Sequence, residues 1–448
     1  MTLVMKFGGS SVADAACIRR VAELVAGALP QAPLVVLSAI GKTTNALFDA
    51  ARQAERGELD GALETLARLR AHHDQTAQDL CGAGALDLSS TFQELELLLR
   101  GVALLRELSP RTLDAIASFG ERLSTWIFAA FTGHALVDAR TVMRTDGRFG
   151  EATPDTATIE ALALAHLVPR LGPGRAVVTQ GYLGATEEGL ITTLGRGGSD
   201  YSAALLGAAL HASEVQIWTD VEGVLTADPR IVPGALPISD LGFTEAAELA
   251  AFGAKVLHPA TIQPAVEARI PVTVRHTGRP KGRFTTISGE VTTGRPVTAL
   301  ASRGPVTVLT VSSTRMLAQS GFLARLFEVF GRHGTSVDLV ATAEVSVSLT
   351  VEADAPLKAL VRELSVFATV VVSEERAIVA VVGERLKRTP GICARIFGAL
   401  RDINVEMISM GANEINLSLV VRQTQADEAL RRLHAALIEH PFLEGGAA

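Results

Sequence analysis

Aromatic side chains are scarce in this sequence, at 4% of 448 residues. That disfavours a surface that stacks nucleobases. A basic excess is also lacking: 41 Lys and Arg stand against 48 Asp and Glu, a net charge of −7. A nucleic-acid partner held by a broad basic face is therefore not expected. There are only three cysteines, Cys17, Cys81 and Cys393, far apart and odd in number, which suits neither a disulfide framework nor a zinc cluster. No apolar run reaches membrane length. The longest candidate, between Arg122 and Asp138, contains Thr125, Thr132, Gly133 and His134 and reads as a buried helix. Lys6, Gly8 and Gly9 interrupt the only early apolar run, so a signal peptide is not expected either. The expectation is a cytoplasmic protein with no membrane partner. What the chain does have is 48% hydrophobic and 20% charged residues, enough to build cores. At about 150 residues per domain its length suits about three.

The order of patterns is that of a parallel α/β sheet. Residues 2–7 read as a buried strand followed by Gly8-Gly9-Ser10-Ser11, and Ile18, Val21, Leu24 and Val25 give residues 14–28 a helical spacing. Leu34-Val35-Val36-Leu37 is a second buried strand. From about 46 to 130 the sequence predicts helices alone. Strands return at 176–183, 189–194 and 215–219, with Val272-Thr273-Val274 as the last of this unit. Helices are expected at 199–211, 243–253 and 259–268. The segment 278–304 is rich in Gly, Pro, Thr and Arg and reads as a linker with one strand near Val297–Leu300. A repeat follows: Ser320-Gly321-Phe322-Leu323-Ala324-Arg325-Leu326-Phe327 matches Pro390-Gly391-Ile392-Cys393-Ala394-Arg395-Ile396-Phe397. Each copy sits in a β-α-β-β pattern, as in ferredoxin-like domains. The boundaries drawn from this are 1–280, a linker 281–304 part of which can add a strand to one of the two repeated units, then 305–373 and 374–448.

Two nucleotide motifs fail on inspection. Gly41-Lys42-Thr43 resembles a P-loop tail, but Val36 stands where the leading glycine belongs. Gly195-Arg196-Gly197 begins like a dinucleotide fingerprint, but its last glycine is replaced by Asp200. Two Gly-rich turns remain, each after a strand and before a helix: Gly8-Gly9 with Lys6 upstream, and Gly195-Arg196-Gly197-Gly198-Ser199-Asp200. Such turns let backbone amides and a helix N-terminus approach phosphate or carboxylate. The plainer alternative is that the glycines only make tight turns, and Lys6 and Arg196 argue against it. Ser199 fits a helix N-cap, and Asp200 can be read as a simple N-terminal acid of that helix.

Other polar residues leave two readings open. Glu121, in Ser118-Phe119-Gly120-Glu121-Arg122, reads most simply as an exposed ion pair with Arg122; the functional reading is a carboxylate facing a substrate ammonium. His72-His73 and His211 lack metal-ligand spacing and read as solvated surface, and no resident metal site is expected. Trp218-Thr219-Asp220 ends a strand, where open α/β sheets bind ligands; Arg230 and Lys255 follow at loop-like positions.

Lys6-Phe7-Gly8-Gly9-Ser10-Ser11-Val12, Ser118-Phe119-Gly120-Glu121, Thr193-Leu194-Gly195-Arg196-Gly197-Gly198-Ser199-Asp200, Trp218-Thr219-Asp220-Val221 and Phe252-Gly253-Ala254-Lys255-Val256-Leu257-His258-Pro259 together resemble the motifs of the aspartate kinases. The resemblance spans essentially the whole chain, and the helical insert and repeated C-terminal units resemble the monofunctional, lysine-sensitive type. It implies an α/β/α sandwich of the amino-acid-kinase type followed by two ferredoxin-like (βαββαβ) ACT domains. It also implies transfer of the ATP γ-phosphoryl group to L-aspartate, with Mg²⁺ brought by ATP. Carried onto this sequence, Lys6, Gly8 and Gly9 would hold the transferring group, and with Ser10 they would bind ATP. Ser38, Thr44, Glu121, Arg196 and Ser199 would line the aspartate site, with Glu121 near the ammonium and Arg196 on the α-carboxylate. Thr219, Asp220, Leu225, Arg230 and Lys255 would hold ATP, and Asp200 would orient Lys6. Leu225 departs from the family, where a tyrosine is usual.

In the first ACT unit, Met316, Gln319, Phe322, Leu323, Ser336, Val337, Asp338, Ala343 and Glu344 fall on the family's lysine-site pattern. Asp338 and Glu344 would meet the two ammonium groups of L-lysine. The plain alternative for the apolar members is that they are core or turn residues. Gln319 and Ala343 replace small hydroxyl residues of relatives, so threonine control or weakened feedback stands beside lysine inhibition. ACT pairing implies a homodimer or dimer of dimers. The competing functions are another amino-acid kinase, acting on glutamate, N-acetylglutamate or uridylate, and a non-catalytic amino-acid sensor. The intact Gly-Arg-Gly-Gly-Ser-Asp block with Lys6 argues against both.

Overall fold

The computed structural model describes residues 2–253, 259–289, 295–317 and 320–440. It divides into two compact units, Met1–Val224 with Ser239–Phe243 and Val256–Val291, and Leu225–Ile238 with Thr244–Lys255 and Thr292–Ala448.

In the first unit, β1 (Leu3–Phe7), α1 (Ala15–Ala28) and β2 (Leu34–Leu37) lie where the apolar pattern predicts them. Asp14 caps α1 by accepting from the Cys17 amide. Five helices then follow: α2 (Thr43–Glu55), α3 (Leu59–Cys81), α4 (Ser89–Leu105), α5 (Pro110–Ala117) and α6 (Phe119–Thr132). The strands β3 (Ala135–Leu136), β4 (Val177–Gln180), β7 (Glu214–Thr219), β8 (Asp240–Gly242), β9 (Val272–His276) and β10 (Thr285–Ser288) complete an eight-stranded sheet in the order β3-β4-β2-β1-β7-β9-β10-β8. All its neighbours are parallel except β9 and β10. The short hairpin of β5 (Leu183–Ala185) and β6 (Ile191–Thr193) stands apart from it. Helices α7 (Thr156–His166), α8 (Gly198–Ala209) and α10 (Pro259–Glu267) belong to the same unit, and α9 (Phe243–Ala251) starts at its edge. All of β1 and β2 is buried, as expected of a parallel sheet covered on both faces. The structure differs here from the sequence reading: β3, β8 and α7 have no expected counterpart, and Val272–Val274 is not the last strand. Thr285–Ser288, read as linker, buries Thr285 and Ile287 by alternation and pairs with β9.

The second unit is built on one six-stranded antiparallel sheet, in the order β12-β13-β11-β14-β16-β15. Its elements are β11 (Ala299–Ser312), α11 (Phe322–Arg332), β12 (Val340–Thr342), β13 (Ser346–Glu352), α12 (Leu357–Leu364), β14 (Thr369–Val382), α13 (Ile392–Ala399), β15 (Met407–Met410), β16 (Asn416–Arg422) and α14 (Ala426–His434). The repeat is real, and its copies share strands. Ala299–Arg303 of β11 pairs with Ile378–Val382, inside the second copy, while Val306–Ser312 pairs with Thr369–Arg376. Two cores result. One gathers Leu309, Leu326, Phe330, Leu349 and Leu360; the other gathers Leu300, Val379, Ile396, Leu419 and Leu430. The segment 225–238 joins the second core through Ala227 and Val232, and Thr226 Oγ1 lies 2.9 Å from His434 Nε2.

Among the described residues no helix is long and apolar enough to cross a membrane. The stretch from Arg122 to Asp138 is largely α6, a buried helix.

Candidate active site

Parallel strands deliver their C-terminal ends to one edge of the sheet, and loops leaving those ends form crevices. The crevice here lies at the ends of β1, β2 and β4. It is an open cleft of ≈ 610 Å³ lined by Lys6, Gly9, Ser38, Thr44, Glu121, Arg196, Ser199 and Asp200 among others. Every residue assigned by resemblance to aspartate, together with Lys6, Gly9 and Asp200, thus comes to one place from four separate stretches of chain.

Lys6 is 8% exposed, although it lies in a strand of otherwise apolar residues. Its Nζ sits 2.6 Å from Asp200 Oδ1, and close by Gly8. Asp200 occupies the first turn of α8, where the helix dipole favours a carboxylate. It is both an N-terminal acid and the partner of Lys6. Ser199 is not the N-cap. The helix starts one residue earlier, at Gly198, and its N-cap is Gly197 in the left-handed region at φ 72°, a conformation glycine adopts without steric cost. Arg196 is exposed in the turn before it and has no ion-pair partner among the described residues.

Glu121 overturns the simplest sequence reading. It is not an exposed partner of Arg122 but 3% exposed, in the first turn of α6. Arg122 instead lies 3.4 Å from Glu94 and over the rings of Phe119 and Trp126. One Glu121 oxygen accepts from the Ala39 amide at 3.2 Å; the other is buried without a hydrogen-bond partner among the described residues. Burial pushes the carboxyl up to about 8. Gly120 makes this approach possible, because a Cβ there would stand 2.8 Å from the Ala39 side chain.

His73 also departs from the surface reading. It is fully buried, its Nδ1 lies 2.7 Å from the Leu69 carbonyl, and burial pulls it down to about 4. His72 and His211 are exposed, as expected.

The nucleotide residues divide. Thr219 and Asp220, at the end of β7, are in the first unit, as are Gly8 and Ser10. Leu225 and Arg230 belong to the second, where Arg230 Nη2 pairs with Asp228 at 2.5 Å. Lys255 lies outside the described residues. In the ACT-type repeat, Met316, Phe322 and Val337 pack with the first core, as the plain alternative has it. Leu323, Ser336, Ala343 and Glu344 are exposed, and Gln319 lies outside the described residues. Asp338 is half-buried; its Oδ1 lies 3.1 Å from Arg303 Nη1, while its Oδ2 has no hydrogen-bond partner among the described residues. Arg303 also pairs with Glu352.

Sequence reading missed several members of the cleft: Lys42, Phe48, Glu151 and Tyr182. Tyr182 follows the end of β4, so the strand-end rule would have found it. It holds a left-handed φ of 67°, and burial pushes its phenol up to about 12.

Residues 1–276 match the model of the amino acid kinase family, and residues 379–437 match that of an ACT domain. The lysine-sensitive aspartokinase 3 of Escherichia coli K12 is 41% identical over 455 residues, covering 98% of this chain and 99% of the relative. Chloroplastic aspartokinase 1 of Arabidopsis thaliana is 39% identical over 460 residues, covering 98% and 80%. The crystal structure of E. coli aspartokinase III with aspartate and ADP, its R-state, superposes with a TM-score of 0.83 at 40% identity, covering 98% of this chain and 100% of that one. Its T-state complex with lysine and aspartate gives 0.81 at 40%, covering 98% and 99%. The chain belongs to the amino acid kinase family and, within it, to the aspartokinases.

Proposed function

We propose that this chain phosphorylates L-aspartate at its β-carboxylate with Mg·ATP, giving 4-phospho-L-aspartate and ADP, and that L-lysine inhibits it. The observation that carries the reading is the buried Glu121 oxygen without a partner, in one cleft with Arg196 and the Lys6–Asp200 pair. A buried carboxylate in want of a cation suits an amino-acid ammonium, and a guanidinium suits the α-carboxylate. The β-carboxylate is then left to react.

That carboxylate is already a nucleophile at neutral pH, so no base is needed. One of its oxygens bonds to the γ-phosphorus as the bond to the β,γ-bridging oxygen breaks and ADP leaves with those electrons. The protein brings two anions into line and offsets the charge that moves onto the phosphoryl and bridging oxygens. Lys6 and the Gly9 amide would do this, with Asp200 holding the Lys6 ammonium in position; the Gly8 amide donates to the Trp218 carbonyl at 3.2 Å and only shapes the turn. Ser38, Thr44 and Ser199 complete the aspartate site. Thr219, Asp220, Leu225, Arg230 and Lys255 are assigned to ATP, and Mg²⁺ enters as part of that substrate.

The effector is assigned to Asp338 and its neighbours, because a half-buried carboxylate oxygen without a partner there also suits an ammonium. Lysine would act by favouring one arrangement of the enzyme over another. A homodimer or dimer of dimers in the cytoplasm completes the reading. The test is aspartate-dependent ADP formation with Mg·ATP, with and without millimolar lysine, and with threonine in parallel. Loss of rate with lysine alone supports both assignments. A rate indifferent to lysine removes the effector, and no aspartate-dependent turnover removes the acceptor.

A further inference from the structure

Asp114 is a carboxylate that neither the motifs nor the cleft lining single out. It lies on α5, 2% exposed. Its Oδ2 accepts from the Gly150 amide at 2.9 Å and the Thr193 amide at 3.0 Å, and its Oδ1 accepts from Thr193 Oγ1 at 2.8 Å. Burial raises its pKa against the pull of these donors. A buried carboxylate is a costly way to hold a helix that Ser109 already caps. Its three donors, however, come from two segments that lead to the cleft. Gly150 and its neighbour Glu151 line it, and Thr193 lies two residues before the Gly195–Asp200 turn. The same junction is closed by Ala152 N–H to the Thr193 carbonyl at 2.9 Å and Leu194 N–H to the Tyr182 carbonyl at 2.9 Å. On the other side, α5 runs almost directly into α6, with Ser118 N–H donating to the Asp114 carbonyl at 3.0 Å and Arg122 N–H to the Ser118 carbonyl at 3.2 Å. Glu121 is therefore carried on the same helical run as Asp114.

We propose that Asp114 is a positioning residue that sets the separation between Glu121 and Arg196, and so the length of acceptor the site accommodates. This rests on reading those two residues as the anchors of the aspartate ammonium and α-carboxylate. Through its backbone and the next helical turn Asp114 holds Glu121. Through its carboxylate it holds the strand that feeds the arginine turn. Near-attack geometry is sensitive to shifts of about 1 Å, so a slack junction costs substrate affinity and alignment without touching either substrate.

The test uses the full chain with D114A, D114N and T193V, and with E121Q and R196K as controls. KM for aspartate, KM for Mg·ATP, kcat and thermal melting are measured for each. For D114A we expect the aspartate KM to rise about tenfold or more while that for Mg·ATP stays within about twofold. D114N restores most of it, because one oxygen can still accept both backbone N–H groups while the amide donates to Thr193 Oγ1. T193V, which removes one of the three Asp114 donors together with the Thr193 contact to Tyr182, gives a smaller rise of the same kind and serves if D114A does not fold. An unchanged aspartate KM in T193V and D114A, or both KM values rising together with a lowered Tm, overturns the proposal. If E121Q and R196K raise the aspartate KM and D114A does not, positioning alone fails. If the two controls leave it unchanged, the aspartate reading fails and this inference with it.

Discussion

Lys6 Nζ and Asp200 Oδ1 lie 2.6 Å apart, joining the first strand of the chain to the first turn of a helix nearly two hundred residues later. The pair ties the Gly8-Gly9 turn to the Gly195–Asp200 turn. Both side chains are largely sheltered, so the interaction is screened less than a surface pair. It leaves the ammonium located and still facing the cleft.

Lys6→Ala is expected to lower kcat by about 10²-fold or more, the scale of losing one preorganised charge at a transition state, with little change in aspartate KM. Steady-state kinetics at saturating aspartate decide it. Near-normal turnover would remove Lys6 from the mechanism.

Arg196→Ala acts on binding. The aspartate KM should rise about 10- to 100-fold, and Arg196→Lys should recover only part, since an ammonium cannot make the bidentate contact of a guanidinium. An unchanged KM for aspartate in the alanine variant counts against the clamp.

Glu121 gives a pH dependence of definite sign. Its carboxyl stands at about 8 in the free protein, against 4.5 for an ordinary one. Only the ionised form pairs with an ammonium, so aspartate should bind more tightly as pH rises from about 6.5 to 8.5. Stability runs the other way. The folded state holds the proton more firmly than the unfolded state, so stability is fully present below 4.5 and is lost as pH rises through about 8. Glu121→Gln carries no such charge. It should be more stable than the parent at pH 9, by on the order of a few kcal/mol of unfolding free energy, and bind aspartate poorly at every pH. Parallel melting curves for the two proteins between pH 6 and 9 would sink this account.

In the second unit, Asp338→Asn keeps the shape of the side chain and removes its charge. The ratio of rates with and without lysine should move towards one, with the concentration for half inhibition raised about tenfold or more, the cost of losing a charged hydrogen bond. Unaltered lysine sensitivity in this variant would place the effector elsewhere.

Much of this protein is local in origin and so was determined by the sequence alone. An uninterrupted apolar run followed by Gly-Gly is a buried strand and a tight turn in almost any setting, and β1, α1 and β2 lie where their patterns put them. The Gly-Arg-Gly-Gly-Ser-Asp block carries its own turn and helix start, one residue earlier than expected, with the cap two residues earlier. The repeat at 320 and 390 announced two similar units.

What tertiary structure alone decided is burial and partnership, because both depend on chain remote in sequence. Glu121, beside Arg122, and His73, beside His72 and Asp74, look like surface residues. They are buried because the strand end at Ala39 and the ring of Phe92 close over them. Asp114 has no signature, since its meaning lies in two amides that arrive from residues 150 and 193. The exchange of half-strands between β11 and β14 is likewise invisible in either repeat. A strand's pattern shows which faces are apolar, and only the folded chain shows which strand it will pair with.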